Sequence, residues 1–599
     1  MNNNPSLEPN SEYTTRLENR RSLVAIEAAK YRQVGIVRIV FLIFAAAILL
    51  RVVTAAHTRI GYWLIPVVII SLILIGIHQQ IFKQQKRFER AAKFYERGIA
   101  RLAGNWIGVG NTGESYRNAL HPYAEDMDIF GRGSLYELLC SARTRAGEDT
   151  LAAWLMAPAS MEEINLRQQA IEELKPKLDL REDLALLGED LRAGINPAAL
   201  SAWSKTPALL SSKLGRAGAL TLGALAIVTL VVAVFTESLL PFYGVLIADT
   251  ALALYWREKV MQVVNGLEPA ARDLKLLAQI LQRIEQEQFS SEKLVRLRAS
   301  LDTAGKSPSQ QIAQLHSLAA WLEARRNQIG RVLTAPFLWV TNLAFAIEAW
   351  RLNSGAKVEA WIAAVGEIEA LCALANYAYE HPHDPYAEII AGEMIFAGEE
   401  IGHPLIPENR VVRTDIRLDQ KLSLLVVSGS NMSGKSTLLR TIGMNAVLAL
   451  AGAPVRAQRL QISPLNLGAS IRIQDNLQAG ASLFYAEITR LRQLMEMTKE
   501  PLPLLFVIDE ILHGTNSHDR RIGADAVLRG LIQRGAMGLV TTHDLALTNI
   551  VAELGTLAKN VHLEDHLENG RMTFDYVLRE GIVKKSNAIE LMRSVGLEV

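Results

Sequence analysis

Two cysteines in 599 residues, Cys140 and Cys372, are too few for a disulfide framework and lack metal-ligand spacing, which fits a reducing compartment. Both read as small packing residues rather than reactive thiols. Neither charge sign is in excess: 63 Lys and Arg stand against 62 Asp and Glu, a net charge of +1. No global basic field advertises nucleic acid, so any such contact would need a local patch. Residues 1–31 are polar and charged and show no cleavable-signal pattern, and they read as a cytosolic helical or partly disordered leader. What the chain has in plenty is apolar sequence, 50% hydrophobic with mean hydropathy +0.14, high for a soluble multidomain enzyme.

Four apolar runs account for that excess. Ile60 to Ile77 carries no charge and reaches membrane length, and Ile39 to Ala56 is similar apart from Arg51, which could snorkel to an interface. Ala217 to Phe235 and Leu239 to Trp256 form a second pair across a short turn containing Glu237. Asp249 lies near the middle of the last run, a costly position in a bilayer unless the acid is neutral or paired. Four buried helices of a soluble core are the alternative, but runs of membrane length arranged twice as hairpins favour two membrane dips. Arg32 and Arg38 precede the first pair and Lys83, Lys86, Arg87 and Arg90 follow it. Lys213 and Arg216 precede the second, with Arg257 and Lys259 after it, so all four flanks are expected in the cytoplasm.

The densest chemistry is in Gly429-Ser430-Asn431-Met432-Ser433-Gly434-Lys435-Ser436, followed by Thr437. It is a complete phosphate-binding loop between a strand-like run, Leu422 to Val427, and a helix-like one. The glycines allow successive N–H groups to face phosphates, Lys435 can reach the β and γ phosphates, and the Ser436 hydroxyl suits Mg²⁺. Leu504 to Ile508 is a fully apolar strand pattern ending in Asp509-Glu510. Carboxylates placed there lie beside the phosphate loop, Asp509 to hold Mg²⁺ through water and Glu510 to polarise the attacking water. A further strand pattern, Gly538 to Thr541, ends in Thr542-His543, a candidate sensor of the γ phosphate.

Between these elements runs Asp475-Asn-Leu-Gln-Ala-Gly480-Ala-Ser482-Leu-Phe484-Tyr-Ala-Glu487. The order Ser-Asn-Met-Ser-Gly-Lys-Ser-Thr, Asp…Gly-x-Ser-x-Phe…Glu, Asp-Glu-Ile…Gly-Thr and Thr-Thr-His resembles the MutS family of DNA mismatch-repair ATPases. Gly402-His403-Pro404-Leu405 upstream, and Asn560-Val-His-Leu with Gly581…Lys585-Ser586 downstream, are similar to that family's entry and closing segments. The resemblance implies an ABC-type nucleotide domain that pairs as a homodimer, with Gly480 and Ser482 touching the ATP held by the partner and Asn431 contacting its phosphates. It also implies a possible DNA partner. Ser430 and Ser433 stand where the family usually has Pro and Gly. Leu512-His513-Gly514-Thr515-Asn516-Ser517 stands where it commonly has Gly-Arg-Gly-Thr-Ser-Thr.

Asp126-Met-Asp-Ile-Phe-Gly131, Trp154-Leu155 with Pro158, and Leu191 to Pro197 resemble the same family's helical core, and their residues read as packing without chemistry. Lys83 to Leu102 is a charged juxtamembrane helix pattern, and its Phe94-Tyr-Glu96 matches the family's mismatch-reading motif only formally. Mismatch-reading and connector domains are not expected upstream of the core, nor a nuclease-like tail after the ATPase pattern.

The expected fold is multidomain: four transmembrane helices in two hairpins, an all-α core and lever, and a C-terminal α/β P-loop domain of ABC type. The expected divisions are a leader at 1–35, hairpin 1 at 36–82, juxtamembrane helix and core at 83–208, hairpin 2 at 209–258, lever at 259–388 and ATPase domain at 389–599. A membrane-anchored, dimeric MutS-like ATPase using ATP and Mg²⁺, with DNA as a possible partner, is the leading function. A transport or membrane-remodelling ATPase and a nucleotide-gated membrane scaffold are the alternatives.

Overall fold

The computed structural model of the chain describes residues 8–55, 64–187, 197–271, 274–301, 305–324, 337–430, 433–472, 483–543, 545–568 and 571–583. The chain divides into two compact units, Met1–Val109 and Gly110–Val599.

The first unit is a helical hairpin of α1 (Pro9–Ala55) and α2 (Leu64–Leu102). The charged ends are the packed ends. Tyr13 and Tyr95 are fully buried with ring centroids 5.7 Å apart, and Arg16 Nη1 donates to Tyr95 Oη at 3.2 Å. Arg21 meets Glu96 at 2.8 Å, and farther along Tyr31 stacks on His78 at 4.1 Å, which makes the pair antiparallel. The apolar halves are the uncovered ones: Ile39, Ile43, Leu50, Ile65 and Leu72 are all exposed. That inverts the arrangement water demands of a hairpin. The expected leader is, from Pro9 onward, the first half of α1, and the expected boundary at 82–83 falls inside α2.

In the second unit a buried helix organises the core. Most of α14 (Val358–Glu380) is covered, with Trp361, Ile368 and Leu371 at its centre and α4 (Arg145–Met156) and α5 (Met161–Leu174) against it. Its Glu369 accepts the N–H groups of Arg143 at 3.1 Å and Thr144 at 3.2 Å, capping α4 from a point more than 200 residues away in sequence. Burial pushes that carboxyl up to about 7 against the pull of these donors.

The second hairpin is α8 (Lys213–Thr236) and α9 (Leu240–Ala271), turned by Glu237 at φ 53°. Among the described residues three helical segments are long and apolar enough to cross a membrane, Pro9–Arg51, Ile65–Leu102 and Lys213–Thr236. The fourth expected span, within α9, is not among them. The helix begins only at Leu240, so membrane-length windows inside it take in Asp249 and run into Arg257, Glu258 and Lys259. Asp249 is buried, and neither carboxylate oxygen has a partner among the described residues. From α9 the chain passes through α10 (Leu274–Glu285), α11 (Glu292–Ser300), α12 (Pro308–Ala324) and α13 (Trp339–Ser354) to α14.

The C-terminal region holds two sheets. Strands β1 (Glu388–Ile389), β2 (Ile395–Ile401), β3 (Thr414–Asp419) and β5 (Arg459–Ile462) form a mixed sheet in the order β1-β5-β2-β3. The larger sheet has the order β10-β9-β4-β8-β7-β6, with β4 (Leu424–Ser428), β6 (Asn466–Ser470), β7 (Leu504–Ile508), β8 (Met537–Thr542) and β9 (Ala558–Glu568) parallel and β10 (Arg571–Glu580) antiparallel. Every residue of β4, β7 and β8 is buried, as strands covered on both faces require. Phe506, Leu504 and Val540 pack with Leu491, Leu494 and Leu528 from the helices over one face. Those helices are α16 (Leu483–Met497) and α17 (Ser517–Gln533), and α15 (Lys435–Ala451) follows β4.

Candidate functional site

Register places the candidate residues. Ser428 pairs with Thr542 on one side and His562 on the other, and Ile508 pairs with Val540. Parallel neighbours end together, so the residues following β4, β7 and β8 all leave the sheet at one edge.

After β4, Gly434 has φ 98° and immediately precedes α15, where a Cβ would sit 2.8 Å from the Tyr576 ring. Only glycine suits both demands. Lys435 Nζ donates back to the carbonyls of Gly429 at 3.0 Å and Ser430 at 2.7 Å. Burial pushes this ammonium below its ordinary pKa, opposed by the charges of Glu510 and Asp509. The buried hydroxyls of Ser430 and Ser433 have no partner among the described residues. A loop whose hydroxyls lack partners among the described residues and whose ammonium turns back onto loop carbonyls fits an incoming anion.

Ser436 Oγ donates to Asp509 Oδ2 at 2.5 Å, joining the start of α15 to the end of β7. Thr541 in β8 fixes the acidic pair, since its hydroxyl donates to Asp509 and accepts the Glu510 N–H at 2.9 Å. His543 Nε2 lies 2.7 Å from Glu510 Oε1 and 3.2 Å from Lys435 Nζ. One ring nitrogen cannot donate to the carboxylate and accept from the ammonium at once. With Nε2 protonated, the bond goes to Glu510 and Lys435 keeps its two carbonyls.

Glu510 and Leu512 hold left-handed backbone, φ 49° and 57°, which costs a non-glycine residue on the order of 1 kcal/mol or more each. Glu487 of α16 supports that turn: its buried carboxylate accepts the Leu512 N–H, and burial raises its pKa against the backbone donors of residues 512–514. Asn516 then caps α17 by accepting the Asp519 N–H at 2.9 Å.

Lys435, Ser436, Asp509, Glu510 and His543 thus come together, and Thr437 lies on the first turn of α15. Asn431, Met432, Gly480 and Ser482 lie outside the described residues. The sequence reading assigned no role to Thr541, Glu487 or Tyr576. The first had a signal, a threonine pair ending an apolar strand. Glu487 closed the Gly-x-Ser-x-Phe…Glu pattern without a role being read for it, and Tyr576 acts across a distance in sequence that no local pattern marks.

The family model for MutS domain V matches residues 425–598. Residues 425–598 are thus similar to the MutS family's domain V. The match begins inside β4 and takes in the whole candidate site except Gly402-His403 upstream. The chain is similar to "Endonuclease MutS2" of Thermus thermophilus, 34% identical over 196 residues, covering 33% of this chain and 25% of that protein. It is also similar to "DNA mismatch repair protein MutS" of Natronomonas pharaonis, 29% identical over 245 residues, covering 40% of this chain and 28% of that protein. The chain therefore spans about a quarter of the length of either relative.

Beside the MutS domain, His403 accepts the Leu405 N–H at 3.2 Å, and burial pushes its pKa down to about 4, helped by Arg440. Its folded pKa lies below the unfolded one, so its contribution is complete above the unfolded value of about 6.5 and is lost as pH falls toward 4. Stability should drop by about 2 kcal/mol between pH 7.5 and pH 5 through this group alone. A His403→Gln variant should lose measurably less melting temperature over that interval, and an equal loss would show that another group titrates.

Proposed function

We propose that this protein is a membrane-held ATP hydrolase of MutS type that works as a homodimer. Each nucleotide would sit between residues 429–437 of one subunit and Gly480 and Ser482 of the other. The observation that carries the reading is the meeting of Lys435, Ser436, Asp509, Glu510 and His543 at one edge of a mainly parallel sheet.

ATP phosphates would replace the Gly429 and Ser430 carbonyls as acceptors for Lys435, with Ser430, Asn431, Ser433 and the loop's N–H groups completing the cradle. The hydroxyl and carboxylate of Ser436 and Asp509 form a hard-oxygen donor set suited to Mg²⁺, which when bound would offset phosphate charge. Glu510 would orient the attacking water and draw on its proton. His543, already bonded to Glu510, would hold that carboxylate in place and face the γ phosphate.

DNA enters as a proposed partner through the names of the relatives, and with a net charge of +1 it would be held by a local basic surface, salt-sensitively and without sequence preference. Mismatch reading is not part of the proposal. The buried carboxylate of Asp249, without a partner among the described residues, favours a second reading, an ATPase that moves or remodels membrane material.

Two measurements on the purified full-length chain test the proposal. In detergent with ATP and Mg²⁺ it should dimerise and release phosphate, and a sample that stays monomeric at high concentration would overturn the shared site. In vesicles, thiol labels at residues 300 and 599 should react from the same side; opposite sides would overturn the membrane arrangement. Material crosslinked with and without ATP then separates nucleic acid from lipid or protein cargo.

A further inference from the structure

The segment that precedes α3 (Leu135–Leu139) is bonded to the nucleotide domain by a set of contacts centred on one carboxylate. Asp126 is 1% exposed. Its Oδ1 accepts the N–H groups of Ile471 at 2.9 Å and Arg472 at 2.7 Å, just beyond the end of β6. Its Oδ2 takes Arg490 Nη2 at 3.3 Å, two turns into α16. The neighbouring chain reinforces the hold: the Pro122 carbonyl accepts the Ala469 N–H at 2.8 Å and the His121 carbonyl accepts Arg490 Nη1 at 2.9 Å. Asp128, in left-handed backbone at φ 48°, pairs with Arg472 and with Arg440 of α15.

This is more than edge packing. A buried charge is tolerated only where its donors satisfy it, and the donors of Asp126 come from both flanks of one stretch, the residues entering and leaving 473–482. Losing the carboxylate takes the acceptor from the Ile471 and Arg472 N–H groups and leaves Arg490 held only by the His121 and Ala119 carbonyls and Gln493, while the phosphate loop keeps its own bonds.

We propose that Asp126 is a positioning residue that fixes Ile471, Arg472 and Arg490, which flank Gly480 and Ser482 in sequence, and through them influences what each subunit offers its partner's nucleotide. The inference rests on the shared-site reading above and adds to it a residue of the helical core. A competing route runs within the subunit: the Ser470 carbonyl accepts the Asp509 N–H at 2.8 Å, so Asp126 stands close to the acidic pair through one further bond.

Purified two-tag heterodimers distinguish the routes. Homodimers of Asp126→Ala should bind a fluorescent ATP analogue within about twofold of the unmodified protein, yet turn over roughly tenfold more slowly, a loss in kcat rather than KM. A heterodimer of one Asp126→Ala subunit and one Lys435→Ala subunit should recover about half the unmodified turnover. Its intact phosphate loop then meets a stretch held by an intact Asp126. If Asp126→Ala does not fold, Asp126→Asn and Arg490→Gln should give the same pattern more mildly, with melting curves reporting fold separately. Normal turnover in the homodimers would overturn the proposal. So would a heterodimer as slow as the Asp126→Ala homodimer while a Ser482→Ala and Lys435→Ala pair recovers, because the effect would then act within the subunit. Failure of that control pair removes the shared-site reading itself, and this inference with it.

Discussion

Replacing Glu510 by glutamine should leave ATP binding intact and slow hydrolysis at least roughly tenfold, about 1.4 kcal/mol or more in the barrier. The substitution changes charge and little else. An amide oxygen still accepts from His543 Nε2, where the carboxylate now bonds at 2.7 Å, and the backbone N–H still reaches Thr541 Oγ1 at 2.9 Å. Lys435 and Ser436 keep their contacts, so a nucleotide-binding assay should change little. What disappears is the carboxylate that would draw on the water's proton. Single-turnover phosphate release against analogue affinity separates the two effects. A scaffold with negligible turnover would show no such drop, and an unchanged rate would remove Glu510 from the role of base.

The strands that carry this chemistry were legible because burial on both faces leaves one signature, a continuous apolar run with polar residues immediately after it. Leu504–Ile508 is observed as expected, the expected Leu422–Val427 lies at Leu424–Ser428, and Gly538–Thr541 lies within Met537–Thr542. The small sheet was not legible in this way. Its β2 carries Gly398 and two successive glutamates, and its partner β5 lies some sixty residues on, so pairing rather than pattern defines it. The length of α1 was hidden for another reason: a change from polar to apolar composition looks like a boundary, but it alters the solvent of a helix without interrupting its hydrogen bonds. Asp126 looked like a packing residue because its donors lie more than 340 residues away.

A pair of inactive variants should restore one another. Ser482→Ala and Lys435→Ala homodimers should each hydrolyse ATP slowly, the first for want of the group offered to the partner, the second for want of the phosphate-binding ammonium. A heterodimer of the two has one site in which both defects meet and one built from the intact loop of the first subunit and the intact Ser482 of the second. Turnover should therefore rise to about half that of the unmodified protein, which no arrangement of self-contained sites can produce. In such an arrangement every subunit carries its own lesion, and mixing returns only the average of two low rates. The observed contacts make Lys435 a clean partner for this test, because Gly429, Ser430 and His543 all lie in its own chain and removal of the side chain leaves the Ser436 to Asp509 bond in place. A confirmed heterodimer that stays at the average would place the whole site within one subunit, and dimerisation would then have to serve something other than hydrolysis.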